Sequence, residues 1–516
     1  MLKPILCLAF LAILAYQCYD YSTTISFHHS LNPTGRVAFA STFSLENSIR
    51  PPGNRSFADI ARRQELHKQL LPFLSNATAG SQAKYRRIPT SSLYPILITP
   101  DTNAQCWNPT ILALPSFSQH QYIVVARVLT DGSHHLNVAC LANWVYHDSL
   151  SVSIKALVCD PTTVQILNVP PTVSGDCGEN KRMGHFNKFP GFHDTRLTWM
   201  RTGDVLAVAG SGYDSPSHIS LSFGYSRTNK HTNRSMKTCF GMFGFSLLPY
   251  YRPVSDIIGS ATPFGLGPHI SLPYITEIER PPPYGFFEKN WIPFHSSSGL
   301  YFQSDHGPGV RTIAKHYGFG KVSGNITQPD EPTCFPPGVV NESGKGGAKW
   351  HLATGVLEVL LCKRDEDCQG KASVFVAVVH RKITNKFGLM AGSGKYEKFV
   401  VVYDGKAPFR TLAFGRRAIL YGEERMDGFV DLLGGNIAGK DGFAGTVPTV
   451  GEAKYRKTFT YTLSLAWDVH DKVGKAEEMT VGYLDDDVVA GVGVGDNGVF
   501  VGRIKMGDLL NDLREC

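Results

Sequence analysis

The sequence is poor in charge: Asp, Glu, Lys and Arg make up 18% of its 516 residues, against roughly 25% in an average globular chain. The formal net charge of +7 is thin over this length, and no Lys/Arg block reads as a nucleic-acid patch. The most basic stretches are Ala61-Arg62-Arg63 and Lys84-Tyr85-Arg86-Arg87, so no nucleic-acid partner is expected. Beyond the first residues there is no apolar run long enough to span a bilayer, which excludes a multi-span membrane protein. No cysteine pair has CxxC spacing and no Cys/His set has zinc spacing, so neither a metal nor a cofactor is expected. HExxH, GxSxG and GxxxxGK[ST] are all missing, which leaves zincin, serine-hydrolase and P-loop chemistry without support.

What the chain does have is 42% hydrophobic residues together with 51 Gly and 31 Pro, above the roughly 7% and 5% of average usage. The apolar content excludes wholesale disorder. The turn formers point to many short strands rather than long helices.

The chain opens Met1-Leu2-Lys3-Pro4, and Ile5 to Tyr16 is almost wholly apolar. This is the shape of a signal-peptide h-region over 1–18. Ala15-Tyr16-Gln17-Cys18 is a poor cleavage site, so a retained anchor stays open. Two features agree with a secreted or Golgi/ER-lumenal location. Sequons stand at Asn54, Asn76, Asn233, Asn325 and Asn341, as N-glycosylation requires. Outside the leader lie Cys106, Cys140, Cys159, Cys177, Cys239, Cys334, Cys362, Cys368 and Cys516, enough for up to four disulfides in an oxidising lumen. Cys362 and Cys368 bracket a charged loop and are the pair expected to bond.

Residues 19–94 read as a stem with one helix. Phe57, Ile60, Leu66, Leu70, Leu71 and Leu74 recur at helical spacing, Ser56 is placed to cap, and Pro72 limits the end. From 95 to 516 the pattern is short β-rich runs separated by turns. Strong runs begin near 122, 197, 291, 374 and 487, bounded by Gly, Asp, Asn and Ser. Five loose units, each long enough for a four-stranded sheet, predict an all-β, five-bladed β-propeller. A pair of sandwiches or a β-helix competes with it. Gly493-Val-Gly495-Asp-Asn-Gly498 matches GxGxxG, but a strand follows where phosphate binding needs a helix, so it reads as a hairpin turn.

Four clusters bring polar groups to strand ends: His193-Asp194-Thr195-Arg196, Glu288-Lys289-Asn290-Trp291, His380-Arg381-Lys382, and Tyr483-Leu484-Asp485-Asp486-Asp487. In a propeller, equivalent positions of successive blades converge on a central axis, so these clusters predict one shared site. Carboxylates and cations beside aromatic faces suit a sugar, with a proton donor for glycosidic chemistry and Lys or Arg for a phosphate. A salt bridge at each strand end is the simpler alternative.

This ordered set, with Gly495-Asp496 near the end, resembles the five-bladed propeller mannoside phosphorylases and related β-mannosyltransferases. It is more similar still to a group of fungal secretory proteins distantly related to them. The resemblance implies a glycosyltransferase or glycoside phosphorylase/hydrolase acting on mannosides, with a glycan, sugar phosphate or nucleotide sugar as substrate. Asp194 and Arg196 match an Asp-Pro-Arg element that contacts sugar, with Thr195 in place of the Pro. Lys289 and His380 match elements that bind phosphate or substrate. Asn290, Trp291, Asp485 and Asp486 are further substrate-contact candidates, and Asp194 and Glu288 are the acid/base candidates. A propeller that binds glycans without turnover is the alternative.

Overall fold

The computed structural model describes residues 57–74, 83–98, 106–129, 135–149, 152–167, 191–211, 240–260, 272–282, 288–307, 310–327, 349–384, 394–422, 458–470, 476–494 and 498–516, with a few single positions between them. The leader and four of the sequons, at Asn54, Asn76, Asn233 and Asn341, lie outside the described residues; Asn325 is exposed. By contact the chain divides into Met1–Ala61 and Arg62–Cys516, and all of the sheets belong to the second unit.

The described chain is nearly all β. A helix covers Phe57–Leu70 and tightens into a 3-10 turn at Leu71–Phe73, where Pro72 lies. Leu66 and Leu70 are buried in the main core. No helix among the described residues is long and apolar enough to cross a membrane.

The strands form four hydrogen-bonded sheets. Two have four strands each: Phe192–Trp199, Val205–Ser211, Gly241–Ser246 and Thr276–Glu277 in one, and Ile292–Ser296, Gly299–Gly307, Val310–Gly318 and Lys321–Val322 in the other. Both are antiparallel meanders in chain order. A nine-stranded sheet is centred on Ser373–Thr384 and Gly394–Asp404. A ten-stranded sheet joins the meander Cys106–Ala113, Tyr122–Leu129, His135–Ser149 and Val152–Cys159 to the late strands Thr458–Asp468, Asp487–Val494 and Gly498–Lys505.

The join is the strand Ser92–Leu97. It runs antiparallel to Gly498–Lys505 on one side and parallel to Val152–Cys159 on the other. Residues 83–94, read with the stem from sequence, thus belong to the sheets, because Tyr85–Arg87 also pairs with Ala418–Leu420.

The central strands are buried on both faces. Val374 to Val379 and Val205 to Ala209 are each almost wholly inaccessible, as expected where sheets stack against one another and no face is left for water. That explains the uninterrupted apolar runs in the sequence. Disulfides fasten local loops, Cys140–Cys159 between neighbouring strands and Cys362–Cys368 around the charged loop expected to carry one, and Cys516 is disulfide-bonded as well. Cys106 is a free thiol whose pKa burial pushes up to about 11, an unreactive state at neutral pH.

Candidate functional site

Segments of five strands meet around one cavity. Leu112 and Ala113, Leu197 to Trp199, His295, Leu357 with Glu358, and Leu465 to Trp467 line a narrow cavity of about 30 Å³. Four of these sets lie toward the C-terminal ends of their strands, whereas Leu357 and Glu358 open theirs, Leu357–Leu360, so those four strands begin together at the other end of the axis. That other end is polar.

Backbone irregularity marks it. Asn108 and Asp194 sit inside register shifts between Trp107 and Thr110 and between His193 and Arg196. Both have left-handed φ, 49° and 52°, as does Asn290 at 63° just before Ile292. Asn and Asp are the side-chain-bearing residues that tolerate this region best. A bulge re-aims the side chain it carries, and such strain concentrates at functional sites.

The re-aimed groups meet. Asn108 Nδ2 donates to Asp194 Oδ1 at 2.6 Å. Arg127 Nη1 lies 3.4 Å from the same oxygen and Lys289 Nζ 3.5 Å from Oδ2. Arg196, fully buried, donates to the Asp194 carbonyl at 3.1 Å, to Asn290 Oδ1 at 3.3 Å and to the Ala353 carbonyl at 3.2 Å. Burial alone would raise the Asp194 pKa, but Lys289, Arg127, His193 and Arg196 outweigh it and hold the carboxyl well below the usual range. Asp194 is therefore an anion at any physiological pH, an acceptor and not a proton donor.

His380 closes the inner side of this cluster. Its Nε2 accepts from the Thr462 N–H at 3.4 Å, which leaves the proton on Nδ1, and that nitrogen has no partner among the described residues. Burial, with Lys398, His351 and Arg196 nearby, keeps the imidazole neutral by lowering its pKa well below 6.5. The Tyr461 ring stands edge-on to His380 at 4.4 Å. Its phenol interacts with Arg196 and is held protonated by burial. Tyr461, Trp107 and Lys289 remain partly exposed, with the Arg127 guanidinium 5.0 Å from the centre of the Trp107 ring.

Of the residues singled out from sequence, Asp194, Arg196, Lys289, Asn290 and His380 come together here. Glu288 and Trp291 face a different neighbour: Arg280 Nη1 binds the Glu288 carboxylate at 3.1 and 3.2 Å, and Trp291 Nε1 donates to it at 3.1 Å. Glu288 is 4% exposed, in a buried ion pair with Arg280.

Asp485 and Asp486 lie at the far end. Asp487 pairs with Asp468 while Thr460, beside Tyr461, pairs with Val494, so roughly 23 Å of strand separates them. Asp485 accepts from the Arg364 N–H, and Asp486 binds Arg364 at 2.6 Å and Lys472 at 3.0 Å. Arg381 spends its charge on Glu397 at 2.5 Å. The expected GxGxxG hairpin is present as the pairing of Val494 with Gly498. Among the described residues no group of His, Cys, Asp or Glu could hold a metal.

Asn108, Arg127 and Tyr461 are site residues that the sequence does not single out. The one signal, for Asn108 alone, is Gly491-Val492-Gly493. A Cβ on Gly491 would lie 2.1 Å from the Pro109 carbonyl oxygen, and one on Gly493 would lie 2.8 Å from Asn108 Oδ1, so these glycines admit the bulged strand.

No protein-family model matches the chain, and no curated protein sequence matches it. Among solved structures it is similar to a glycosyl hydrolase from Bacteroides ovatus, at 11% identity and a TM-score of 0.34 over 78% of this chain and 84% of that one. It is similar to the β-1,2-mannobiose phosphorylase from Listeria innocua, at 9% identity and 0.33 over 81% and 98%. A third is the levansucrase of Bacillus subtilis, at 7% identity and 0.27 over 70% and 96%.

Proposed function

We propose that the chain is a five-bladed β-propeller whose polar axial end is a carbohydrate site. The observation that carries this reading is the Asp194 carboxylate, fixed as an anion between Asn108, Arg127 and Lys289 beside the partly exposed rings of Tyr461 and Trp107. A pyranose presents both complements. Its hydroxyls donate to a carboxylate and its C–H face packs on aromatic carbon. The four strands that begin around this point come from separate parts of the chain, which supports a radial arrangement of blades. The disulfides Cys140–Cys159 and Cys362–Cys368 fit an oxidising secretory compartment.

The protonation states narrow the chemistry. Hydrolysis of an unactivated glycoside needs a proton on the leaving oxygen, and Asp194 does not supply one. A sugar phosphate or nucleotide sugar needs none. The bond from the anomeric carbon to the phosphate oxygen breaks with its electron pair on the phosphate, which leaves as an anion. The acceptor hydroxyl attacks the same carbon and passes its proton to that phosphate. Arg127 and Lys289 are the cations that meet the leaving group, and Asp194 and Asn290 orient sugar hydroxyls. This is glycosyl transfer with a mannoside as the favoured class. The closed Glu288–Arg280 pair favours a second reading, glycan binding without turnover.

The test is incubation of the purified protein with mannose 1-phosphate, nucleotide-activated mannose and manno-oligosaccharides. Release of phosphate or nucleotide that is lost in Asp194→Asn supports transfer. Saturable binding without release supports the second reading. No binding of any of them rejects the carbohydrate site.

A further inference from the structure

The three most exposed large apolar side chains among the described residues are Phe319 at 93%, Tyr274 at 77% and Tyr317 at 68%. They belong to one feature. The turn between Val310–Gly318 and Lys321–Val322 reads Gly318-Phe319-Gly320, and all three residues have left-handed φ, 108°, 48° and 75°. A bulky aromatic rarely takes that conformation. The turn is also pinned. A Cβ on Gly320 would lie 2.0 Å from the Glu277 carbonyl oxygen, and the Glu279 N–H donates to the Gly320 carbonyl at 2.8 Å. Tyr274 stands two residues before Thr276, whose hydroxyl donates to the Tyr274 carbonyl. The outer edges of two sheets are thus locked together, and the lock holds a phenylalanine out in water.

We propose that Tyr274, Tyr317 and Phe319 form a foot that enters the headgroup region of an anionic phospholipid bilayer. A protruding ring is a wedge and not a flat platform, so it suits a soft interface into which it can sink. Tyrosine is the residue of that interface, with the ring in the acyl boundary and the hydroxyl among headgroups. The charges agree. Lys321, exposed, adjoins the turn and Lys315 stands three residues before Gly318, whereas the Arg311 guanidinium is turned away onto the Tyr403 ring, 4.1 Å from its centre. Basic groups beside an apolar tip are attracted to anionic lipid. Glu277, on the strand under the turn, and Glu279, just after it, are both partly buried.

The placement leaves the candidate site open. Lys315 Cε lies over Gly299, 3.2 Å from the position of a Cβ there, so the foot neighbours the turn that follows Ile292–Ser296. The polar site lies at the beginning of that strand, with Asn290. A bilayer under the foot therefore faces the end of the axis opposite Asp194.

The test places the probe in the foot itself. Phe319→Trp, in the full chain, is mixed with vesicles of phosphatidylcholine containing phosphatidylserine, with brominated acyl chains as quencher. The expected result is a blue shift and quenching of the added indole, absent in the unsubstituted protein and reduced by Lys321→Glu or by high salt. The chain has six tryptophans of its own, so the readout at position 319 is the difference between the variant and the unsubstituted protein with the same vesicles, which cancels membrane binding through another part of the chain. The proposal is overturned if the indole is neither shifted nor quenched. It is equally overturned if phosphatidylcholine alone gives the same quenching. A blue shift that needs only rising protein concentration, or only a glycan, assigns the foot to self-association or to sugar and rejects the lipid.

Discussion

Lys289 and Asp194 face each other at 3.5 Å from two different segments, and Lys289 leads the cations that keep the carboxylate charged where burial would discharge it. Asp194→Asn preserves shape and tolerates the left-handed φ of 52°, but leaves Arg127 and Lys289 without their anion. We expect the fold to survive and affinity for the sugar ligand to fall tenfold or more, about 1.4 kcal/mol. Asp194→Ala should lower the thermal midpoint further than Asn does, since alanine adds the strain of that φ. Calorimetric titration alongside a melting curve checks both. Unchanged affinity in the Asn variant would detach Asp194 from binding.

Glu288 and Arg280 offer the opposite pattern. Both are nearly buried, at 4% and 11% side-chain exposure. Removing one member of such a pair costs about 3–5 kcal/mol, and the low end is expected because Arg280 keeps Asp305 at 2.7 Å. Glu288→Gln should therefore lower the thermal midpoint while leaving ligand affinity per folded molecule unchanged. A variant that melts like the parent but has lost turnover would make Glu288 the acid/base group.

Much of this arrangement is legible in the sequence, for local reasons. The central strands and their turns are written in neighbouring residues: Ser373-Val-Phe-Val-Ala-Val-Val379 is a strand because β-branched and aromatic residues fill both of its faces. Asp194 and Arg196 stand out as charges inside an apolar strand, and they are at the centre of the site. What is not legible depends on juxtaposition between sheets. Arg127 reads as an ordinary strand residue until Asp194 arrives beside it. Glu288 and Lys289 are adjacent in sequence, yet an extended backbone sends successive side chains to opposite sides, so one joins the site and the other joins Arg280. Asp485 and Asp486 stand out in the sequence as adjacent carboxylates, but their partners Arg364 and Lys472 come from other segments and hold them at the far end of the axis.

Acid should destabilise the protein in two stages. His295 and His306 are held neutral by burial, with pKa values lowered to about 4 and about 3, and Arg201 and Arg311 add to the effect; His380 is shifted the same way. The unfolded chain takes up these protons near pH 6.5. Stability is therefore full above that pH and is lost as pH falls from about 6.5 toward the folded values, at about 1.4 kcal/mol per unit for each histidine. Asp194 acts lower. Its folded pKa is depressed, so its contribution is present above about pH 4 and is lost as pH falls below that. Melting curves across pH 3–7 should slope downward into acid. His306→Phe, which suits the neighbouring rings of Phe335 and Phe414, should flatten the upper part and Asp194→Asn the lower. A flat wild-type curve would contradict both.

Gly491 connects core packing to the site. Its missing side chain lets Pro109 approach, and a Cβ would meet the Pro109 carbonyl oxygen at 2.1 Å and Ser464 Oγ at 2.5 Å. Backbone cannot step aside as a side-chain tip can, so Gly491→Ala must push the bulged strand outward. Ser464 Oγ also accepts the Ile111 N–H at 3.1 Å, which ties the displacement to the rest of Cys106–Ala113. Overpacking of this kind costs about 1–3 kcal/mol. The same shift draws Asn108 away from Asp194, 2.6 Å distant in the parent, so ligand affinity should fall together with the thermal midpoint. Gly259→Ala is the matched control, since a Cβ there meets nothing within 4 Å and alanine is the better helix former by about 0.8–1.0 kcal/mol. It should leave affinity unchanged and raise the midpoint slightly. If Gly491→Ala lowers stability but leaves affinity intact, Asn108 does not orient Asp194, and the carboxylate owes its position to Lys289 and Arg127 alone.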